Sequence, residues 1–213
     1  MMATGAASTS GSLPAAAVVA ACALIFTVAS FWWLNARQGR LRSYPPHTFA
    51  AAATRQKTLI RIPLVLFNTG PKPIVILDMR LDVARESQED VTLPWSSTRD
   101  RIRPEPEDGL RLPAVFAVSG RAAEQAFIEF STPFPNFTPQ LREYRASLKC
   151  RVGHRKKWIT VMEFPLHLEN VSAPGSYIAY SNAPNVVDES KKISARDELN
   201  RLASEAAIRR SND

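Results

Sequence analysis

The sequence predicts a mainly β protein, an immunoglobulin-like antiparallel β-sandwich with one N-terminal transmembrane helix and a short C-terminal helix. Three observations predict it. Leu13 to Leu34, LPAAAVVAACALIFTVASFWWL, contains no charged side chain, and none precedes it in the chain. From residue 58 to residue 182, short alternating apolar runs succeed one another between Pro, Gly and Asn punctuation, with no long helical pattern among them. Beyond residue 183 the apolar spacing lengthens to three and four, which is a helical period.

Taken in order, residues 1–12 are small, polar and aperiodic, and predict a disordered tail. Residues 13–34 predict a transmembrane helix: at about 1.5 Å per residue they span roughly 33 Å, which matches a hydrocarbon core of about 30 Å. A lone segment in lipid must satisfy its own backbone hydrogen bonds, so helix is the only reading. Phe31, Trp32 and Trp33 form an aromatic belt at the end of the run, and Arg37, Arg40 and Arg42 follow at once. A cleaved signal peptide is the rival, but the n-region has no basic side chain and the apolar run is too long for one. With the arginines only on the carboxyl side, the positive-inside rule places the large domain in the cytoplasm, the extracytoplasmic side being the alternative. Cys22 lies in the span and Cys150 stands alone in the domain, so no disulfide can form within the domain; labelling of the Cys150 thiol would then report its side.

Residues 35–57 predict a basic juxtamembrane linker, because Pro45-Pro46 stops a helix from running on and Ala50 to Ala53 could make no more than a short helical turn. Leu59 to Phe67 is a β-rich run closed by Asn68-Thr-Gly-Pro71. Leu77, Met79, Leu81 and Val83 alternate with Asp78, Arg80 and Asp82, which predicts a strand with one core face and one wet face. Residues 84–108 read as a long charged loop, with Val91 to Trp95 as an edge piece because of Pro94. Leu110 to Val118 and Ala126 to Phe130 predict further strands, and Pro133 to Pro139 an aromatic-proline crossover.

The clearest pair follows. Tyr144, Ala146, Leu148, Cys150 and Val152 alternate with Arg145, Lys149 and Arg151, the turn Gly153 to Lys157 carries Arg155, Lys156 and Lys157, and Trp158, Met162, Phe164, Leu166 and Leu168 continue beyond it. This predicts a hairpin with a basic outer face and a basic tip. Residues 183–213 predict a tail with an amphipathic helix, N-capped at Ser194, whose thin stripe is Ala195, Leu199, Leu202 and Ala206.

The chemistry is sparse. The three histidines, His47, His154 and His167, have no metal-site spacing, and there is no Gly-rich phosphate loop, nucleophile elbow or Cys-x-x-Cys among only eight glycines and two cysteines. No catalytic, cofactor-binding or metal-ligating residue is nominated, and the chain is read as a non-enzyme. The net charge of +7 raises nucleic acid as a partner. The basic residues of the hairpin lack stacking aromatics, however, so an anionic membrane surface suits them better. Arg37, Arg40 and Arg42, with Arg155, Lys156 and Lys157, are expected near phospholipid headgroups.

Pro63 to Pro71, Leu93-Pro-Trp95, Arg111 to Phe116, Gly153-His-Arg155 and Tyr177 to Tyr180 together resemble a group of uncharacterised single-span membrane proteins of high-GC actinobacteria. The resemblance spans roughly residues 13 to 182 and rests on packing and turn residues, so it implies an anchored β domain and no activity. The functional expectation is a membrane-anchored module for protein-protein interaction or scaffolding, its partners the bilayer through residues 13–34 and another protein. The alternative is an accessory ligand- or ion-binding subunit that uses the 86–108 and 131–139 loops.

Overall fold

In the computed structural model, which describes residues 14–85, 88–102, 108–168, 178–181 and 189–212, the chain divides into two units, Met1–Gln38 and Gly39–Asp213. The expected tail at residues 1–12 lies outside the described residues.

In the first unit α1 (Ala15–Phe31) runs into a π-helical turn, Trp32–Ala36. Together they are long and apolar enough to cross a membrane. The polar side chains are turned back on the helix: Thr27 Oγ1 donates to the Ala23 carbonyl at 2.8 Å and Asn35 Nδ2 to that of Phe31 at 3.2 Å. The Thr27 hydroxyl and the Asn35 amide are thus partnered within the helix itself. The Arg37 guanidinium lies 4.0 Å from the centre of the Trp33 ring, a cation–π contact at the belt.

The second unit is mainly β, with every strand pairing antiparallel. Its strands are β1 (Leu41–Arg42), β2 (Thr48–Ala53), β3 (Lys57–Asn68), β4 (Ile74–Arg85), β5 (Gln88–Arg99), β6 (Phe116–Val118), β7 (Ala123–Pro133), β8 (Glu143–Val152), β9 (Ile159–His167) and β10 (Ile178–Ser181). They lie in the order β10-β2-β3-β7-β5-β4-β8-β9, with β1 beside β3 and β6 beside β4. The sheet curls towards a barrel because β5 belongs to both halves. Its first part pairs with β4 up to Pro94, opposite Arg80, and its second part pairs with β7 from Trp95, opposite Phe130. Pro94 has no N–H to give to a ladder, and it stands where one ladder hands over to the other.

Inward-facing apolar side chains from β3, β4, β5, β7, β8 and β9 form one core, including Ile62, Leu64, Leu81, Phe130, Leu148 and Leu166, none more than 1 % exposed. The β8–β9 hairpin is as the alternation predicts: Tyr144, Ala146, Leu148, Cys150 and Val152 are buried and Arg145 and Arg151 exposed. Cys150 is wholly buried, and burial, with the Asp78 charge adding to it, pushes its thiol up to about 12. A thiol reagent cannot reach it from either side, so a topology assay needs an introduced exposed cysteine, as at Ala207.

Elsewhere the structure corrects the reading. The stretch 35–57 is not a linker throughout, since β1 and β2 lie within it. Ala50 to Ala53 are a buried strand and not a helical turn, because β3 and β10 offer a ladder on either side and pairing overrides the helical preference of alanine. β5 is a central strand of 12 residues where a charged loop with an edge piece was expected. In β4 the core alternation switches phase at a bulge between Ile76 and Asp78, so Ile74 and Ile76 point inward ahead of it and Met79, Leu81 and Val83 after it. Leu77, expected in the core, is 37 % exposed.

The terminal helix is also longer than the stripe indicates. α2 spans Glu189–Asn212, so Ser194 lies inside it and is not its N-cap. It is docked and not a free tail: Leu199, Leu202 and Ala206 pack with Ala53 and Phe134, and Arg55 makes two hydrogen bonds to Glu205, at 2.9 and 2.7 Å.

Candidate functional site

Three surfaces bring together side chains of chemical interest. The first is the outer face of β4, β8 and β9, where the register sets Arg80 opposite Lys149, Asp78 opposite Arg151 and Asp82 opposite Ser147. Asp82 is its centre. Its carboxylate meets Lys149 Nζ at 2.7 Å, Thr92 Oγ1 at 2.8 Å and Arg80 Nε at 3.3 Å. Burial pushes this carboxyl up, but the hydrogen bonds from Lys149 and Thr92 and the Arg80 charge outweigh it and hold Asp82 below its ordinary value. Arg80 also stacks 4.6 Å from the Trp158 ring, and Arg151 lies 5.9 Å from the same ring.

The expected basic contact surface is therefore divided by the fold. Lys149 pairs with Asp82, Arg151 with Asp78 at 3.8 Å and Arg145 with Glu163 at 2.6 Å, so the outer face is a lattice of opposite charges. Asp82→Asn is expected to destabilise the domain by about 2 kcal/mol at neutral pH. A depressed folded-state value means that this stability is present above the ordinary aspartate range and is lost as pH falls through the folded value. The gap between wild type and variant in urea unfolding should thus close below about pH 4. A gap that stays constant to pH 2 would sink the assignment.

The second surface is one end of the sheet. The segment 39–42 and the turns 69–73, 119–122 and 153–158 meet there, as the registers Leu41↔Asn68, Ile74↔Val118, Phe67↔Ala123 and Ile76↔Val152 require. Backbone bonds join them: Thr69 N to Arg40 O at 3.1 Å, Arg121 N to Gly70 O at 2.9 Å, and Gly153 N to Val75 O at 2.8 Å. Two glycines permit the contact. A Cβ on Gly39 would lie 2.2 Å from Gly70 N, and one on Gly120 would lie 1.8 Å from Pro71 O. These four stretches carry seven Lys and Arg (Arg40, Arg42, Lys72, Arg121, Arg155, Lys156 and Lys157) and no Asp or Glu. An open pocket of about 280 Å³ lies among them, lined in part by Gly39, Arg40, His154 and Arg155.

The third surface is a cleft of about 260 Å³ where β5 leaves β4 for β7 and the two halves of the sheet part. Trp95, Phe116 and Ile128 form its floor, with the two rings edge to face at 6.1 Å. The segment 110–115, expected as strand, is outside the named strands apart from one bridge, Arg111↔Thr98. It leaves Leu110, Leu112 and Val115 at 55, 71 and 62 % exposure. Sequence reasoning missed this lip because its apolar residues are the same types that build strands.

Of the two loops considered for a ligand, 131–139 is anchored by its aromatics: Phe137 sits in the core edge to face with Tyr144 at 5.7 Å, and Phe134 lies under α2. Residues 86–87 and 103–107 of the other lie outside the described residues. Asp100 and Asp108 pair with Arg111 and Arg101. Among the described residues no three His, Cys, Asp or Glu are grouped to hold a metal.

No family model matches the chain, and no curated protein does. Among solved structures the fold is similar to a protein from Archaeoglobus fulgidus, 10% identical, over 69% of this chain and 97% of that one, with a TM-score of 0.32. It is also similar to a family 123 glycoside hydrolase from Clostridium perfringens, 15% identical, over 54% of this chain and 21% of that one, with a TM-score of 0.29.

Proposed function

We propose that this chain is a non-enzymatic, single-span membrane-anchored β module that binds another protein, with Ala15–Ala36 as the anchor. In this reading the β unit is immunoglobulin-like and faces the cytoplasm, the extracytoplasmic side being the alternative. Supporting the anchor are the apolar composition of the helix, the Thr27 and Asn35 side chains bonded back onto it and the Trp33–Arg37 contact at its end. The observation that carries the binding role is the cleft at the parting of the sheet, with Leu112 and Val115 exposed on its lip above an apolar floor. Exposed apolar side chains beside a concave apolar surface are the usual mark of a protein contact.

The occupant that fits is an extended apolar peptide segment of a partner. On the cleft side, β7 is paired with β5 over Phe127 to Phe130, so among the described residues Glu124, Gln125 and Ala126 border the opening with no strand paired on that flank. A strand laid there would extend the ladder and send alternate side chains to Trp95 and Phe116. The test is a photo-crosslinking residue at Leu112 in membranes of the native host. A single partner that crosslinks at 112 but not at exposed Val75, and that is lost at least about tenfold in Val115→Asp, supports the reading. Equal crosslinking at both positions, or none at 112, overturns it.

A further inference from the structure

We infer that the carboxylate-free end of the β unit is a docking face for anionic phospholipid headgroups, which rests on the anchor reading above. The fold sorts the basic residues by their neighbours. Those on the outer face of β8 are each matched by a carboxylate on a neighbouring strand, whereas Arg40, Arg42, Arg155, Lys156 and Lys157 make no ion pair among the described residues. Topology then gathers these five with Lys72 and Arg121, from stretches as far apart in the chain as 39–42 and 153–158, at a single end. No Asp or Glu occurs in any of the four stretches, while Glu198 and Glu205 sit at the opposite end, where α2 meets the turn before β3.

Chain connectivity identifies the partner of this end. Gly39 and Arg40 follow Ala36, the last residue of the apolar helix, by three and four positions, so the basic end is the one through which the chain enters the domain. An end that gathers seven basic side chains and is covalently next to a bilayer anchor suits a plane of negative headgroups. Between Arg40 and Arg155 the pocket of about 280 Å³, with Gly39 at its base, has room for a phosphate group. Nucleic acid is the poorer fit, because Trp158, the aromatic nearest the tip, already stacks against Arg80.

The test uses the full chain reconstituted in vesicles of phosphatidylcholine alone or mixed with phosphatidylglycerol, read by hydrogen exchange at turns 119–122 and 153–158. Exchange there should slow at least about tenfold in the anionic vesicles, and molar salt should reverse it. Arg155→Gln/Lys156→Gln/Lys157→Gln should abolish the slowing, with a thermal midpoint matching wild type, since all three side chains are exposed. Equal protection in both lipids, no protection in either, or protection only after RNA or an acidic protein is added would overturn the inference. Alkaline carbonate washing reads the anchor separately: protein stripped from both lipids refutes the anchor, and salt-sensitive flotation with the anionic vesicles then still reads the face.

Discussion

Glu129→Ala is expected to cost the domain about 3–5 kcal/mol, the loss that follows when one member of a buried ion pair is removed and the other is left charged. Glu129 and Arg61 face each other across the β3–β7 ladder and are 4 % and 1 % exposed. They lie on the outer side of the sheet, yet are shut away from water. The chain after β5 folds back over them, and Arg61 Nη1 donates to the Ile102 carbonyl at 2.9 Å. With Glu129 gone, the guanidinium keeps that bond but loses its carboxylate, and the half-exposed Lys57, 3.8 Å from Glu129, cannot substitute for a negative charge. Domain stabilities are about 5–15 kcal/mol, so this one change should remove roughly a fifth of the total or more. The double variant Arg61→Met/Glu129→Leu should lose much less than Arg61→Met or Glu129→Leu alone, because no charge is then stranded. Guanidinium unfolding of the three variants checks the cycle. A Glu129→Ala loss under about 1 kcal/mol would mean that water reaches the pair.

Asn68→Asp is expected to cost about 3 kcal/mol or more at neutral pH. Asn68 is fully buried at the end of β3, and its Nδ2 serves the carbonyls of Lys72, Val118 and Ser119 at 2.8, 3.2 and 3.1 Å, while Oδ1 accepts from Gly70 N at 3.0 Å. This one amide joins the turns of the basic end. A carboxylate cannot donate, so the substitution sets a negative charge against three carbonyl oxygens in a dry site. Protonation restores one donor. The value of an aspartate there is raised above the unfolded one, so the folded state binds the extra proton and the deficit should shrink as pH falls from 7 towards 5. A deficit independent of pH would count against the role given to the amide.

What was legible in the chain depended on how local its cause was. The β8–β9 hairpin could be read because its partner strands are adjacent in sequence and β8 alternates between buried and outward residues along its whole length. β4 was half legible: the alternation was real, but a bulge at its start shifted the inward phase and put Leu77 outside. β2 and β5 were missed because alanine and proline speak against strands, and only partners from far along the chain supply the ladders that hold them. α2 looked marginal because its receiving surface, Ala53 with Phe134, is made by β2 and the 134–142 segment.

The site divides in the same way. Arg40, Arg42, Arg155, Lys156 and Lys157 stand out in the sequence, whereas Lys72 and Arg121 do not, each being a single charge in a turn. The usable signal, four stretches without a carboxylate, becomes visible only once the registers place them at one end. The sequence by itself determined the apolar helix, its aromatic and arginine boundary, the β character of the chain and the core faces of its hairpin, because each depends on side-chain period or composition within a few residues. The tertiary structure decided which charges are cancelled, which remain, and where the sheet parts to open a cleft, because these depend on neighbours set by strand register across tens of residues.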